Sequence, residues 1–212
     1  MNLAVEARRL ADFIQEINLP NHQETFNHEA YSHIGALYTN IILQAGLNYR
    51  TVVQPRVQHV LDAYPNANTV QGFIEIVNKE GAETVIKWKH PDKIDRIHNL
   101  LNFSLKMSIN TCEDLSEFLS EESNHDRFLA IKGIGNKTLD YTLKLLAFDT
   151  IAVDRHIYSF VEHAGLSVTD YRTTKRIVEF AADILDVSRS VMDQRIWMYM
   201  SNKGIGQTKI QF

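Results

Sequence analysis

Two side chains with reactive groups, the amine of Lys137 and the carboxylate of Asp154, follow a short glycine turn at residues 133–135. A neutral lysine amine is a nucleophile that can form covalent intermediates. A fixed carboxylate stabilises positive charge that develops in a transition state. A glycine turn ahead of a helix exposes backbone N–H groups that hold a phosphate. These residue types indicate a phosphate clamp with two catalytic groups beside it.

The turn is predicted to lie between two helices. Residues 127–131 read as the end of a short helix, and a second helix opens at Asn136 or Lys137 and runs to Phe148, with apolar residues at helical spacing: Leu139, Leu143 and Leu146. Glycine in the turn permits a positive φ and a close backbone approach. The positive end of the second helix favours an anion, and it also favours the neutral form of the Lys137 amine.

Length arithmetic predicts that Asp154 returns to the level of Lys137. A helix from Lys137 to Phe148 rises about 17 Å at roughly 1.5 Å per residue. The segment from Asp149 to Asp154 is rich in residues that favour extended structure, and it spans roughly 20 Å. The amine and the carboxylate are therefore expected to face one cleft. Asp154 also suits the N-cap of a helix that begins at Arg155.

The sequence of the turn and of the segment after it resembles a known family. The two motifs are Ile131-Lys132-Gly133-Ile134-Gly135-Asn136-Lys137-Thr138 and Val153-Asp154-Arg155-His156. In order and separation they resemble the helix-hairpin-helix motif of the endonuclease III superfamily of DNA glycosylases, also called HhH-GPD. The resemblance implies that Lys137 is a Schiff-base lysine and Asp154 a catalytic aspartate. Lys132 departs from the family pattern, which usually has proline there.

The resemblance also implies which residues bind DNA and ions. Gln44 resembles a glutamine that relatives insert into the space left by a flipped base, Arg155 either reaches a phosphate or is solvated, and His156 is structural. The implied DNA-binding set is Lys132, Gly133, Ile134, Gly135, Asn136, Gln44 and Arg155. Backbone carbonyls of the hairpin would hold a structural Na+ or K+ ion, and they map to Leu129, Ile131 and Ile134.

The implied activity is base-excision repair. A DNA glycosylase with AP-lyase activity would remove a damaged base, for which the retained lysine favours an oxidised one, from double-stranded DNA. A monofunctional glycosylase for alkylated, deaminated or mismatched bases is one alternative. A helix-hairpin-helix module that binds DNA without catalysis is another.

Composition limits the other possibilities. The chain has 212 residues, 44% of them hydrophobic, and one cysteine, Cys112. One cysteine excludes a disulfide framework and a four-cysteine iron–sulfur cluster, so we expect no cofactor. The net charge of −4 means that DNA binding must rely on local cations, for which the candidates are Lys132, Lys137, Lys144, Arg172, Lys175 and Arg176. Without a signal peptide or membrane span, we expect a monomer in the cytoplasm (nucleoid-associated) or nucleus, not secreted.

The fold is expected to be all-α and two-lobed, since no strand-like alternation persists. Residues 26–140 would form a six-helix barrel that ends in the hairpin, and residues 1–25 with 141–212 a second helical lobe, with the active-site cleft between them. Predicted helix starts include N-caps at Asn27, Thr69 and Thr111 and first-turn prolines at Pro55 and Pro91.

Overall fold

The chain folds into helices joined by turns and loops. The computed structural model describes residues 2–19, 30–168 and 170–203, and these contain no strand, which confirms the all-α prediction. The helices are α1 (Leu3–Glu16), α2 (Ile34–Leu43), α3 (Gln54–Ala63), α4 (Val70–Glu80), α5 (Ala82–Val85), α6 (Pro91–Lys106), α7 (Cys112–Ser120), α8 (His125–Leu129), α9 (Asn136–Leu145), α10 (Arg155–His163), α11 (Tyr171–Ile184) and α12 (Arg189–Asn202). A π-helical turn, Tyr49–Val53, leads into α3.

The chain divides into two compact units. One comprises Met1–Asn27 with Phe148–Phe212, and the other comprises His28–Ala147. The predicted lobes, residues 26–140 and residues 1–25 with 141–212, differ from these units in their bounds, and the predicted boundary between residues 140 and 141 lies inside α9. The barrel arrangement of the predicted first lobe stays a prediction.

Local signals specify most helix starts. Thr69 Oγ1 accepts the Gly72 N–H at 3.0 Å and caps α4. Thr111 caps α7 in a capping box with Asp114. Pro91 occupies the first turn of α6, where its missing N–H costs nothing. These predicted starts are confirmed.

The start of α2 differs from the prediction. Asn27, the predicted N-cap, lies outside the described residues, whereas the helix itself begins at Ile34. The cap is His33, whose Nδ1 accepts the Ala36 N–H at 3.1 Å. Its Nε2 then donates to the Tyr64 carbonyl at 3.0 Å. A histidine cap was not foreseen because it depends on this second, distant partner.

Helix α2 is the core of the unit His28–Ala147. Every one of its residues is buried, including Tyr38, Asn40 and Thr39. It packs against α3, α6, α4 and α9. A helix that is buried on all sides is enclosed by other elements, so the prediction of a central core helix is confirmed.

The other unit has its own apolar core. Helix α1 packs on α11, and α10 packs on α12. The fully buried side chains at these contacts include Leu10, Phe160, Ile177 and Ile196. No helix in the described ranges is both long and apolar enough to cross a membrane.

Candidate nucleic-acid interface and catalytic residues

The glycine turn forms the predicted hairpin between α8 and α9. Gly133 adopts a φ of +93°, a conformation that strains any residue with a Cβ. The Ile134 N–H donates to the Ile131 carbonyl at 3.0 Å, and both isoleucine side chains are buried and anchor the turn. Gly135 is the N-cap of α9 and provides no side-chain cap. The first backbone N–H groups of α9 carry the positive end of the helix dipole, and within the described residues no N-cap side chain accepts from them.

Helix α6 braces this hairpin. The Arg96 side chain lies against Gly133 so closely that a Cβ there would be 2.5 Å from Arg96 Nε. One turn further along α6, the Asn99 amide approaches the Lys132 carbonyl at 3.4 Å. Sequence motifs did not indicate this contact between α6 and the hairpin. The sequence shows only that Arg96 and Asn99, two polar residues, are three positions apart and therefore lie on one face of α6.

Substitution of the two hairpin glycines tests this geometry. In Gly133→Ala the positive φ and the contact with Arg96 are expected to lower the free energy of unfolding by about 1–2 kcal/mol. Gly135→Ala is the matched control, because its φ is −122° and nothing lies within 4 Å of its Cβ position. The control should change stability by less than about 0.5 kcal/mol, because alanine is a poorer N-cap than glycine but reduces the conformational entropy of the unfolded chain. Equal denaturant midpoints for the two variants would contradict this account of the turn.

Lys137 lies in the first turn of α9 and is partly exposed. Among the described residues of its unit, none makes a hydrogen bond or ion pair with its amine. Two further cations, Lys93 and Arg96, project from α6 nearby, and Lys137 contributes to the electrostatic environment of Lys93. These three side chains form a positive cluster at the hairpin. Such a cluster favours an anionic ligand.

The amine of Lys93 is partly buried within this cluster. Burial, followed by repulsion from Arg96 and Lys137, lowers the pKa of Lys93 to about 8. Its Nζ donates to the carbonyls of Ile42 at 2.6 Å and Ala45 at 2.9 Å, at the end of α2. The neutral amine keeps two N–H groups, which are enough for both carbonyls. Lys93 thus links α6 to the end of α2 in either protonation state.

The lowered pKa of Lys93 predicts a pH dependence of stability. Between about pH 8 and the ordinary lysine value, the unfolded chain holds more protons on Lys93 than the folded chain does. The contribution of Lys93 to stability therefore rises with pH through this window. The unfolding free energy of the protein minus that of Lys93→Met, measured by denaturant titration, should increase from pH 8 to pH 10. A pH-independent difference would show that burial does not perturb this amine.

Gln44 lies at the C-cap of α2, beside the carbonyls that Lys93 binds. Its Nε2 is buried and has no hydrogen-bond partner in the described part of the chain. A buried amide N–H without an acceptor is costly. Movement of the side chain toward an acceptor outside the chain would remove this cost. The predicted insertion of Gln44 into a duplex requires such a movement and stays a prediction.

Asp154 lies in the other unit, where it is the N-cap of α10. Its Oδ1 accepts the N–H groups of His156 at 2.8 Å and Ile157 at 3.1 Å. Its Oδ2 lies 3.0 Å from Nδ1 of His156. The His156 ring is buried and meets the half-exposed Trp197 edge to face, with 6.0 Å between ring centroids. The backbone N–H groups at the start of α10 and the imidazole of His156 together fix the orientation of the Asp154 carboxylate.

Two further side chains hold the backbone just before Asp154. The Ala152 N–H donates to Asp193 Oδ2 at 2.8 Å. The Val153 N–H donates to the Tyr171 hydroxyl at 3.2 Å. These bonds tie the segment to α12 and α11, so Asp154 is positioned by three helices. Sequence motifs did not indicate Asp193 or Tyr171, because both partners are distant in the chain.

The structure brings some predicted residues together. Lys132 through Lys137 form one hairpin with the carbonyls of Leu129, Ile131 and Ile134, and they belong to one unit. Asp154, His156 and the exposed Arg155 belong to the other. The shared cleft of Lys137 and Asp154 and the cation on the hairpin carbonyls stay predictions.

The fold is shared with a solved structure, and the sequence matches a family model. A crystal structure of H. pylori 3-methyladenine DNA glycosylase (MagIII), bound to 1,N6-ethenoadenine, superposes with a TM-score of 0.58 at 14% sequence identity. The match covers 93% of this chain and 98% of that one. The protein thus has the helical fold of the HhH-GPD glycosylases. A family model described as a domain of unknown function (DUF8548) matches residues 29–201, and the chain belongs to that family.

Proposed function

We propose that this protein is a DNA glycosylase of base-excision repair that acts on damaged double-stranded DNA. The observation that carries the proposal is the hairpin, where the uncapped start of α9 and a cluster of three cations offer a site for phosphate. This hairpin occurs in a fold shared with a protein named a DNA glycosylase. An enzyme that attacks the glycosidic bond in a duplex must extrude the target nucleotide. The hairpin would hold the phosphate backbone of the DNA while the nucleotide is extruded.

Asp154 is the proposed electrostatic catalyst. When the bond between C1′ and the base breaks, the base leaves with the electron pair and positive charge develops on the sugar. The Asp154 carboxylate is held by two backbone N–H groups and the His156 ring, so it cannot turn away when this charge forms. A preoriented charge needs no reorganisation during the reaction.

Lys137 is the proposed nucleophile of a coupled lyase reaction. Its amine would attack C1′ as the base leaves, and opening of the sugar ring would give a Schiff base. Loss of a proton from C2′ then breaks the bond between C3′ and its oxygen, which nicks the strand. Lys137 lies in the first turn of α9, beside the proposed phosphate site, and is partly exposed, so its amine is accessible to a substrate. An oxidised base is the substrate that this chemistry implies.

The structural neighbour supports a second candidate. A protein of the same fold is named a 3-methyladenine DNA glycosylase and was crystallised with 1,N6-ethenoadenine, and both are modified adenines. In this candidate Asp154 directs a water molecule to C1′, and Lys137 only contacts phosphate. Alkylated or etheno-modified purines would then be the substrates.

Product analysis on single-lesion duplexes separates these candidates. Free base with a nicked strand supports the lyase, and free base with an intact abasic strand supports the hydrolytic enzyme. Duplex binding without release of any base from alkylated, etheno, deaminated, mismatched or oxidised substrates would leave a noncatalytic DNA-binding module.

A further inference from the structure

A basic groove lies beside the hairpin on the unit His28–Ala147. It has a volume of about 460 Å³ and runs between the second half of α6 and the segment from α8 to the turn. Its lining includes three cations and no carboxylate: Lys106, Arg127 and Lys132. We propose that this groove binds the sugar–phosphate backbone of DNA next to the phosphate held by the hairpin. The inference rests on the proposed DNA-binding function and enlarges the surface of the protein that is expected to contact DNA.

The positive charge of the groove is not neutralised by any carboxylate in the described part of the chain. Among the described residues, none forms an ion pair with Lys106, Arg127 or Lys132. The Arg127 guanidinium is nevertheless held in place, since it donates to Asn124 Oδ1 at 3.0 Å and to Met107 Sδ at 2.8 Å. It also lies 5.5 Å from the centre of the Phe118 ring. An ordered guanidinium without a carboxylate partner is suited to a phosphate ligand.

The groove is continuous with the hairpin. Lys132 belongs to both, and the Asn99 amide that approaches its carbonyl lies in the groove wall. Asn99, Asn102 and Lys106 follow at i, i+3 and i+7 on α6, which places them on one face of the helix. From Asn99 to Lys106 the helix rises about 10 Å. One strand of DNA rises about 3.4 Å per nucleotide along the helix axis, so this length corresponds to roughly three nucleotide steps.

DNA is the occupant that the charge pattern favours. The whole chain has a net charge of −4, so three cations without a carboxylate among them are a local exception. Amide side chains between the cations can donate to phosphate and sugar oxygens without reading sequence. Phe103 and Met107 contribute apolar surface to the lining. The groove is therefore expected to strengthen binding equally for damaged and undamaged duplexes.

The salt dependence of duplex binding tests the groove. Lys106 is exposed and makes no hydrogen bond within the described residues, so Lys106→Gln should fold normally, which its melting temperature checks. Lys79→Gln is the matched control, an exposed lysine of the same unit outside the groove. In a plot of log binding constant against log salt concentration, Lys106→Gln should reduce the slope by about 0.9, the value of one lost phosphate contact. The slope of Lys79→Gln should equal that of the wild type.

The possible outcomes separate this inference from the proposed function. If the wild type binds duplex and all three proteins share one slope, the groove does not contact DNA, whereas the glycosylase proposal stands. If the wild type does not bind duplex at low salt, both proposals fail. A slope reduced only in Lys106→Gln supports both.

Discussion

Lys137→Ala is expected to abolish the covalent adduct that borohydride traps between the protein and a damaged duplex. Borohydride reduces a Schiff base to a stable secondary amine, so an adduct requires the attacking amine itself. Alanine removes the amine from a partly exposed position at the start of α9, where it supports no hydrogen bond among the described residues of its unit. The fold should therefore persist, and the loss should be complete rather than partial. Gel detection of the crosslinked protein measures it.

Lys93→Met is the control for this experiment. Burial lowers the pKa of Lys93 to about 8, which makes its amine the alternative nucleophile. Its Nζ donates to two carbonyls, so we expect the adduct to persist in Lys93→Met, at a lower yield because one cation of the phosphate site is lost. Loss of the adduct in Lys93→Met with retention in Lys137→Ala would move the nucleophile to Lys93. No adduct with the wild type, together with release of free base, would favour the hydrolytic candidate.

Asp154→Asn should reduce the rate of base release by about 10²–10³-fold, the scale of losing one preorganised electrostatic group. Asparagine is as good an N-cap as aspartate, so its amide oxygen can still accept the N–H groups of His156 and Ile157. The substitution removes the negative charge and leaves the start of α10 intact. Single-turnover base release and thermal unfolding measure the two effects separately.

Asp154→Ala separates capping from catalysis. It should lower the rate of base release as much as Asp154→Asn does, and it should also cost about 1 kcal/mol of stability because the cap is lost. If Asp154→Asn released base at the wild-type rate while Asp154→Ala was only less stable, Asp154 would be a helix cap and nothing more.

Much of the fold follows from local sequence signals. Thr69, Thr111 and Pro91 start their helices as predicted, because a cap or a first-turn proline acts within one turn of the chain. The hairpin follows for the same reason, since a φ of +93° at Gly133 is readily available to glycine. These features need no distant partner.

Features that depend on tertiary contacts were not predictable. Helix α9 ends at Leu145 rather than Phe148, because Ala147 leaves the helix with a φ of +66° although its sequence carries no stop signal. The bracing of Gly133 by Arg96 and the bonds from Asp193 and Tyr171 to the segment before Asp154 join residues far apart in the chain. A single sequence contains the residues of these contacts but not their pairing.

The central claim, that this protein cleaves the glycosidic bond of a damaged nucleotide, is tested most directly by release of free base. Duplexes that each carry one lesion, including 1,N6-ethenoadenine, 3-methyladenine and oxidised pyrimidines, would be incubated with excess protein and the free base quantified. We predict release from at least one duplex by the wild type, and a rate 10²–10³-fold lower with Asp154→Asn, as for one lost electrostatic group. Release from none of them, with duplex binding intact, would contradict the claim.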